Sequence, residues 1–390
     1  MLDAAEQCHQ HVGCSLRASA ALRASHGIRL LSPGTPRCHN GRRRWSDHHE
    51  PSGRSTDDLT SIGIIGAGAW GSALAVALAR PGREIVLWAH EAEVAQDINT
   101  GHENRVFLPG VALPPSVTAT NQLAEAARAR ALLLVVPAQH MRAVAEALAP
   151  ALAAGTPLVI CAKGIEQGTS ALMSEVIGEI LPRAPLAVLT GPTFAGEVAR
   201  GLPAAVTLAI ASDDVGKRLI AAFGSPRFRP YLSDDVIGAQ IGGAVKNVLA
   251  IASGIVSGRG LGENARAAVI TRGLMEMVRL GQALGARGET LMGLSGAGDL
   301  MLTCMSAKSR NFSVGLALGQ GKSLSEAQSG KPSVAEGVFS ASAVTALAAR
   351  VGVEMPISRA VDAVVNRDAA IDREIEDLLS RPFTSEYAGG

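Results

Sequence analysis

The sequence predicts an α/β protein in which a doubly wound parallel sheet is followed by an all-α C-terminal domain. Three observations carry this prediction. Short apolar runs alternate with helix-like segments from Ser61 onward, a glycine-rich turn directly follows the first run, and strand signals stop near Ser233. Such alternation covers both faces of a parallel sheet with helices. The same transitions divide the chain into an N-terminal extension at 1–60, a nucleotide-binding unit at 61–233 and a helical unit at 234–390.

With 390 residues, 36 Lys plus Arg against 35 Asp plus Glu and 47% hydrophobic residues, the chain can bury a large core, which excludes overall disorder. Its balanced charge gives no electrostatic footprint for nucleic acid or for an anionic membrane. Five cysteines with no Cys-x-x-Cys pair argue against a disulfide framework and fit a reducing compartment. The first sixty residues hold three of those cysteines, six of the nine histidines and the run Arg42-Arg43-Arg44, with little apolar periodicity. They read as a flexible extension or as sequence translated ahead of the true start. Arg17 and Arg23 interrupt the apolar run at Ala18–Leu22, against a secretory signal, and Asp3, Glu6, Asp47, Glu50, Asp57 and Asp58 argue against a transit peptide. Cys8, His9, His11 and Cys14 match no familiar zinc spacing, and no metal is expected.

Taken in order, Ser61–Ile65 is the first strand, Gly66-Ala-Gly68-Ala-Trp70-Gly71 the turn, and the alanine-rich stretch to Arg80 the first helix. In such a turn the first glycine permits the bend, the second lets a pyrophosphate approach the backbone, and the third allows helix and strand to pack closely. The helix N-terminus then offers its N–H groups to the phosphates. In this context the motif marks a Rossmann-type dinucleotide site. The second strand, Ile85–Trp88, leads to His90 and Glu91, where an NAD-only site would carry an acidic residue for the ribose. His90 instead tolerates or pairs with a 2′-phosphate, or is simply an exposed loop residue, which leaves NAD and NADP both open. Strands follow at Ala131–Val136, Pro157–Ala162, Leu186–Leu189 and Val206–Ile210, with a helix at Met141–Ala151. Lys163 and the segment Thr190-Gly191-Pro192-Thr193-Phe194-Ala195 stand where strands run out, the edge that faces ligands in doubly wound sheets. The alternatives are a surface lysine and a plain turn.

In the helical part, Val236–Gly258 contains one charged residue, Lys246. The segment is long enough to span a membrane. Gln240, Asn247, Ser253, Ser257 and five glycines instead favour a buried helix that takes another helix or a ligand close to its backbone, without membrane insertion. Burial of Lys246 would bring its pKa toward neutrality, where it can exchange a proton with a substrate oxygen. Snorkelling or a structural ion pair are the alternatives. Asp299, after a second glycine-rich turn, is a candidate to orient Lys246 or to bind a hydroxyl. Lys308-Ser309-Arg310-Asn311 gathers groups suited to a phosphate, unless it is only a solvated helix start capped by Ser309.

Gly66-Ala-Gly-Ala-Trp-Gly71, Gly191-Pro-Thr-Phe-Ala195, Gly243-Ala-Val-Lys-Asn247, Gly298-Asp299 and Ser309-Arg-Asn311, in this order, closely resemble the bacterial NAD(P)-dependent glycerol-3-phosphate dehydrogenases. The resemblance runs from about Ile62 through the helical domain. It implies a 6-phosphogluconate dehydrogenase C-terminal-like helical domain and a cytoplasmic homodimer. The implied reaction is reversible reduction of dihydroxyacetone phosphate to sn-glycerol 3-phosphate for phospholipid synthesis. It further implies Lys246 as proton donor and acceptor, with Lys163, Gly191, Thr193, Asp299, Ser309, Arg310 and Asn311 at the substrate. Gly66, Gly68, Ala69, Trp70, Gly71, His90, Lys163, Ala195, Arg310, Val334 and Glu336 would meet NAD or NADP. Two rivals remain at this stage. A related two-domain dehydrogenase of hydroxy acids or sugar acids would share the fold, and a non-catalytic nicotinamide sensor would have no need of Lys246 and Asp299 together.

Overall fold

The computed structural model describes residues 59–329, 335–383 and 385, so residues 1–58 of the expected extension lie outside the described residues. Eight strands form one sheet: β1 (Ser61–Ile65), β2 (Glu84–Trp88), β3 (Val117–Thr120), β4 (Ala131–Leu134), β5 (Leu158–Ile160), β6 (Leu186–Thr190), β7 (Ala204–Ile210) and β8 (Phe228–Ser233). Their spatial order is β3-β2-β1-β4-β5-β6-β7-β8. Strand order reverses between β1 and β4, which opens the crevice where such sheets take ligands.

Side chains alternate across the central strands, as a strand period of two requires. Ile62, Ile64, Leu133 and Val159 enter one core, and Ile65, Leu132, Leu134 and Ile160 enter another on the opposite face. Both faces are therefore covered, and the strands read as continuous apolar runs.

The sheet corrects the sequence reading in two respects. It is not wholly parallel, because β7 runs antiparallel to β6, with Thr190 opposite Thr207 and Ala187 opposite Ile210. It also has two edge strands that the apolar runs did not reveal. In β3 the sequence is Val-Thr-Ala-Thr, and β8 carries Arg229 and Pro230 with Tyr231 and Leu232 exposed. Proline is tolerated there because an edge strand has a side that needs no donor.

Since β8 runs parallel to β7, its end Ser233 lies at the edge opposite the ends of β1, β4, β5 and β6. The helix Val236–Gly258 starts from that edge. Asp235 caps it, one carboxylate oxygen accepting the Gly238 N–H at 2.8 Å while the other accepts the Arg287 N–H at 2.8 Å. An N-cap carboxylate satisfies one of the open amides of the first turn. From Gly238 to Val256 every residue is buried, and 89% of its most apolar window lies inside the protein. The helix has the length and mean hydropathy (1.4) of a membrane span, yet here it is the axis of the helical domain.

Glycines bring its neighbours to it. Gly254 and Gly258 face Gly315 and Gly319 of the helix Arg310–Gly319; an added Cβ at Gly254 would overlap the Phe312 carbonyl oxygen, and one at Gly315 the Ile251 carbonyl oxygen. Backbones in direct contact leave no slack in the placement of Arg310 and Asn311, which begin this second helix. Gly242 is equally close to the Ser295 carbonyl, fixing the turn before Asp299. Gly315→Ala should therefore force the helices apart and lower stability by roughly 1–3 kcal/mol, read as a reduced midpoint in urea unfolding with an unchanged slope.

Candidate active site

The glycine turn has the geometry its sequence suggested. Gly66 sits at φ +123°, its N–H donates to the Trp88 carbonyl at 3.0 Å, and a Cβ there would press on the backbone of Val135, the residue after β4. A Cβ on Gly71 would overlap the Gly66 carbonyl oxygen, so close helix–strand packing requires glycine. Gly68 is different in kind: nothing stands within 4 Å of where its Cβ would be, and it begins the helix Ala69–Leu78 with no side-chain cap. Open space before uncapped N–H groups at a positive helix end suits a pyrophosphate. The indole nitrogen of Trp70, in the first turn of that helix, is buried without a hydrogen-bond partner. These residues fit a nicotinamide dinucleotide. His90 is exposed past the end of β2, its ring edge-on to Trp88 at 6.0 Å.

At the same edge of the sheet a charged cluster is buried. Asp299, fully buried, accepts from the Lys163 ammonium at 2.7 Å through one oxygen and from the Lys246 ammonium at 2.9 Å through the other. Lys163 also donates to the Gly191 carbonyl at 3.1 Å. Lys246 also donates to the Thr303 hydroxyl at 2.9 Å, and that hydroxyl spends its own proton on the Asp299 main-chain carbonyl at 2.6 Å. The Thr303 oxygen can therefore only accept from Lys246. With two of its three N–H positions held, the ammonium has one left for a ligand.

Burial pushes the Lys246 pKa down to about 8, opposed by the attraction of Asp299 and aided by the charge of Lys163. Burial alone would raise Asp299, but the two ammonium groups and their hydrogen bonds hold it below the usual carboxylate range. The Cys304 thiol beside them is pushed up to about 12 by burial and stays neutral. The ion pair that sequence reasoning offered as an alternative to a proton-exchanging lysine is present, and it coexists with the depressed pKa.

Local structure delivers each member. Lys163 stands three residues past β5, and Lys246 is held mid-helix. Asp299 starts the helix Asp299–Cys304 straight after a π turn over Leu294–Gly298, a local widening frequent at functional sites. Gly191, at φ +146°, lies so near Val206 that a side chain would not fit. Thr193 donates its hydroxyl to the Gly191 carbonyl at 3.3 Å, and Ala195 begins the short helix Ala195–Ala199. The Thr190 hydroxyl is buried and without a partner next to Lys163 and Gly243.

Ser309 caps the helix Arg310–Gly319, its hydroxyl accepting the Phe312 N–H at 3.2 Å, so the structural part of its two readings is present. Arg310 is exposed at the first position of that helix. Asn311 is buried in an amide relay: it donates to Asn247 at 2.9 Å and accepts the Gly337 N–H at 2.9 Å, while Asn247 donates to the Lys163 carbonyl at 3.3 Å. The relay ties the two candidate lysine segments to the Arg310 helix. Glu336 opens the helix Glu336–Arg350; burial raises its pKa, and Arg310, Lys163, Lys246 and the Ala138 N–H counter that rise. Val334 lies outside the described residues.

Sequence reasoning gave Thr303 and Asn247 no role. The i,i+4 spacing of Asp299 and Thr303 on one helix was the available signal for the first; the second stood in the polar set of the long helix and in the motif Gly243–Asn247, neither of which indicated its partners. It also missed that Lys308 pairs with Glu197 at 2.7 Å and lies over the Phe194 ring at 5.9 Å, spanning an open hollow of about 510 Å³ between the sheet and helical domains.

An open dinucleotide turn and a lysine able to exchange protons near neutrality, on one edge of one sheet, meet the needs of hydride transfer at a carbon–oxygen bond. They place the chain among the two-domain nicotinamide-dependent dehydrogenases. Residues 61–215 match the family described as NAD-dependent glycerol-3-phosphate dehydrogenase N-terminus, and residues 235–376 match its C-terminus. The chain belongs to this family, an oxidoreductase that uses NAD or NADP. It is 60% identical to glycerol-3-phosphate dehydrogenase [NAD(P)+] of Parvibaculum lavamentivorans over 83% of this chain and 98% of that protein. The crystal structure of glycerol-3-phosphate dehydrogenase from Coxiella burnetii is 40% identical, with TM-score 0.80 over 83% of this chain and 99% of that one. A ketopantoate reductase from Ralstonia eutropha, 20% identical with TM-score 0.57 over 81% of this chain and 99% of that one, shares the fold alone.

Removing the shared negative charge should be felt at Lys246. Asp299→Asn is expected to move the Lys246 pKa below about 8, because burial and Lys163 then act without the attraction of Asp299; NMR of isotopically labelled lysine against pH would record the shift directly.

Proposed function

We propose that the chain reduces dihydroxyacetone phosphate reversibly to sn-glycerol 3-phosphate, with Lys246 exchanging the proton at the C2 oxygen. Lys246 carries the reading, being buried, oriented by Asp299 and Thr303, and titrating at about 8. The turn Gly66–Gly71, with Ala69, Trp70 and Ala195 alongside, would hold the dinucleotide through its pyrophosphate, and its nicotinamide would supply or accept the hydride. His90 would stand at the ribose, and Val334, Glu336, Lys163 and Arg310 would complete the cofactor contacts.

In the reducing direction the carbonyl oxygen gains negative charge, which the Lys246 ammonium stabilises before donating its free proton. The neutral amine remains bonded to Asp299 and Thr303, positioned to take a proton back in the oxidising direction. Lys163, with Gly191 and Thr193, would hold the substrate on its other side. Ser309, Arg310 and Asn311 would take the phosphate: the guanidinium offers a fork of donors, and the relay through Asn247 keeps Asn311 in place. The three cations Lys163, Lys246 and Arg310 outnumber the two carboxylates Asp299 and Glu336, so the site favours an anion. The phosphate does not react, and its binding energy serves to align C2.

Residues 61–233 would thus be the dinucleotide-binding domain and 234–390 the substrate domain, with Lys163, Gly191 and Thr193 reaching the substrate from the first and Arg310, Val334 and Glu336 reaching the cofactor from the second, and with 1–60 taking no part. From the family we also infer a cytoplasmic homodimer whose product enters glycerophospholipid synthesis; light scattering on the purified chain would read the oligomeric state.

Lys246→Ala should lower kcat by about 10²–10⁴-fold and leave NADH binding intact; turnover near wild type would reject the assignment. Reduction should slow as pH rises through about 8, where the ammonium is lost, and oxidation should accelerate over the same interval; steady-state rates in both directions give the two limbs. Unphosphorylated dihydroxyacetone should be a far poorer substrate, and a chain lacking residues 1–60 should keep its kcat/KM.

A further inference from the structure

Asn104 is 1% exposed although it lies in a surface loop, and its side chain reaches the glycine turn from 37 residues away. Its amide nitrogen donates to the Ala67 carbonyl at 2.7 Å and to the Ser72 hydroxyl at 2.9 Å, and its oxygen accepts the Phe107 N–H at 3.1 Å. Both amide protons and the carbonyl are in use. A carboxylate at this position would keep the bond to Phe107 but set an anion against the Ala67 carbonyl.

The loop that presents Asn104 is itself closed. Leu113 donates to the His102 carbonyl at 2.7 Å, the Gly110 N–H donates to the Glu103 carboxylate at 2.7 Å, and Leu108 packs with Ala73 and Ala199 against Trp70. Asn104 is therefore a fixed arm rather than a mobile contact.

Ala67 and Gly68 share one peptide unit, and no cis peptide bond occurs among the described residues. In a planar trans peptide the C=O and the N–H point in opposite directions. Holding the Ala67 carbonyl toward the buried Asn104 thus turns the Gly68 N–H the other way, away from Asn104, and nothing stands within 4 Å of where a Gly68 side chain would begin. We propose that Asn104 is a positioning residue for the dinucleotide: it orients the Ala67–Gly68 peptide so that the Gly68 amide meets the pyrophosphate. This rests on the reading that the glycine turn holds the cofactor.

The test uses the full chain and its Asn104→Asp, Asn104→Ala and Ser72→Ala variants. NADH and NADPH affinities are measured by fluorescence titration without substrate, together with kcat, both KM values and Tm. Asn104→Asp should bind the dinucleotide about tenfold more weakly, about 1.4 kcal/mol, with kcat at saturating cofactor and KM for dihydroxyacetone phosphate retained. Relative to wild type, its affinity should recover as pH falls and the new carboxyl regains a proton to donate. Wild-type affinity in Asn104→Asp would overturn the proposal. So would parallel losses of kcat, substrate KM and Tm, the pattern of a general packing defect. If both Asn104 variants fold poorly, Ser72→Ala decides, since it removes one anchor of the same amide: about twofold to threefold weaker NADH binding with kcat retained supports the proposal, and unchanged binding rejects it. A wild-type chain that binds neither dinucleotide would instead reject the cofactor reading.

Discussion

One buried carboxylate holds the site together. Asp299 has no exposure to solvent and bonds two ammonium groups, Lys163 and Lys246, through its separate oxygens. Two lysines so placed would repel each other in a medium that screens poorly, and the anion between them removes the conflict. It also fastens three parts of the chain to one another: the segment after β5, the middle of the long helix and the helix that follows the π turn. Lys246 accordingly stays buried without being neutralised outright, a balance in which burial lowers its proton affinity and Asp299 limits the fall.

The surrounding architecture places that carboxylate and its partners closely enough for the balance to hold. Glycine pairs let the helix Arg310–Gly319 lie backbone to backbone on the helix Val236–Gly258. The amide relay from Lys163 through Asn247 to Asn311 then continues the same registration in hydrogen bonds. Neither device is interchangeable with ordinary apolar packing, which tolerates shifts that a proton transfer does not.

Much of this was legible in the chain because certain positions admit few alternatives. Gly66 needs a positive φ, Gly71 a missing side chain, and a single lysine within an apolar helix demands a reason. The edge strands β3 and β8 escaped notice because strands with one partner need no continuous apolar run, and apolar runs carry no sign of direction, which hid the reversal at β7. Asn104, Asn247 and Thr303 were opaque for another cause. A polar side chain in a loop or helix looks the same whether it faces water or completes a buried network, and only the partners distinguish the cases. Asn311 illustrates the limit from the other side: its place in a phosphate-like cluster was evident, but its tie to Asn247 was not.

The reversal at β7 has a further effect on how the chain tolerates change. Because β8 ends at the far edge of the sheet, the helix Val236–Gly258 must travel back past it, and Lys246 reaches the site after ten residues, roughly 15 Å at 1.5 Å per residue. Each residue also turns the helix by about 100°. The stretch between the Asp235 cap and Lys246 therefore acts as a fixed gauge of both distance and phase. A single insertion or deletion within it would swing the ammonium away from Asp299 even if every side chain were kept, so the length of this segment is constrained as tightly as Gly242, which has no room for a side chain against the Ser295 carbonyl.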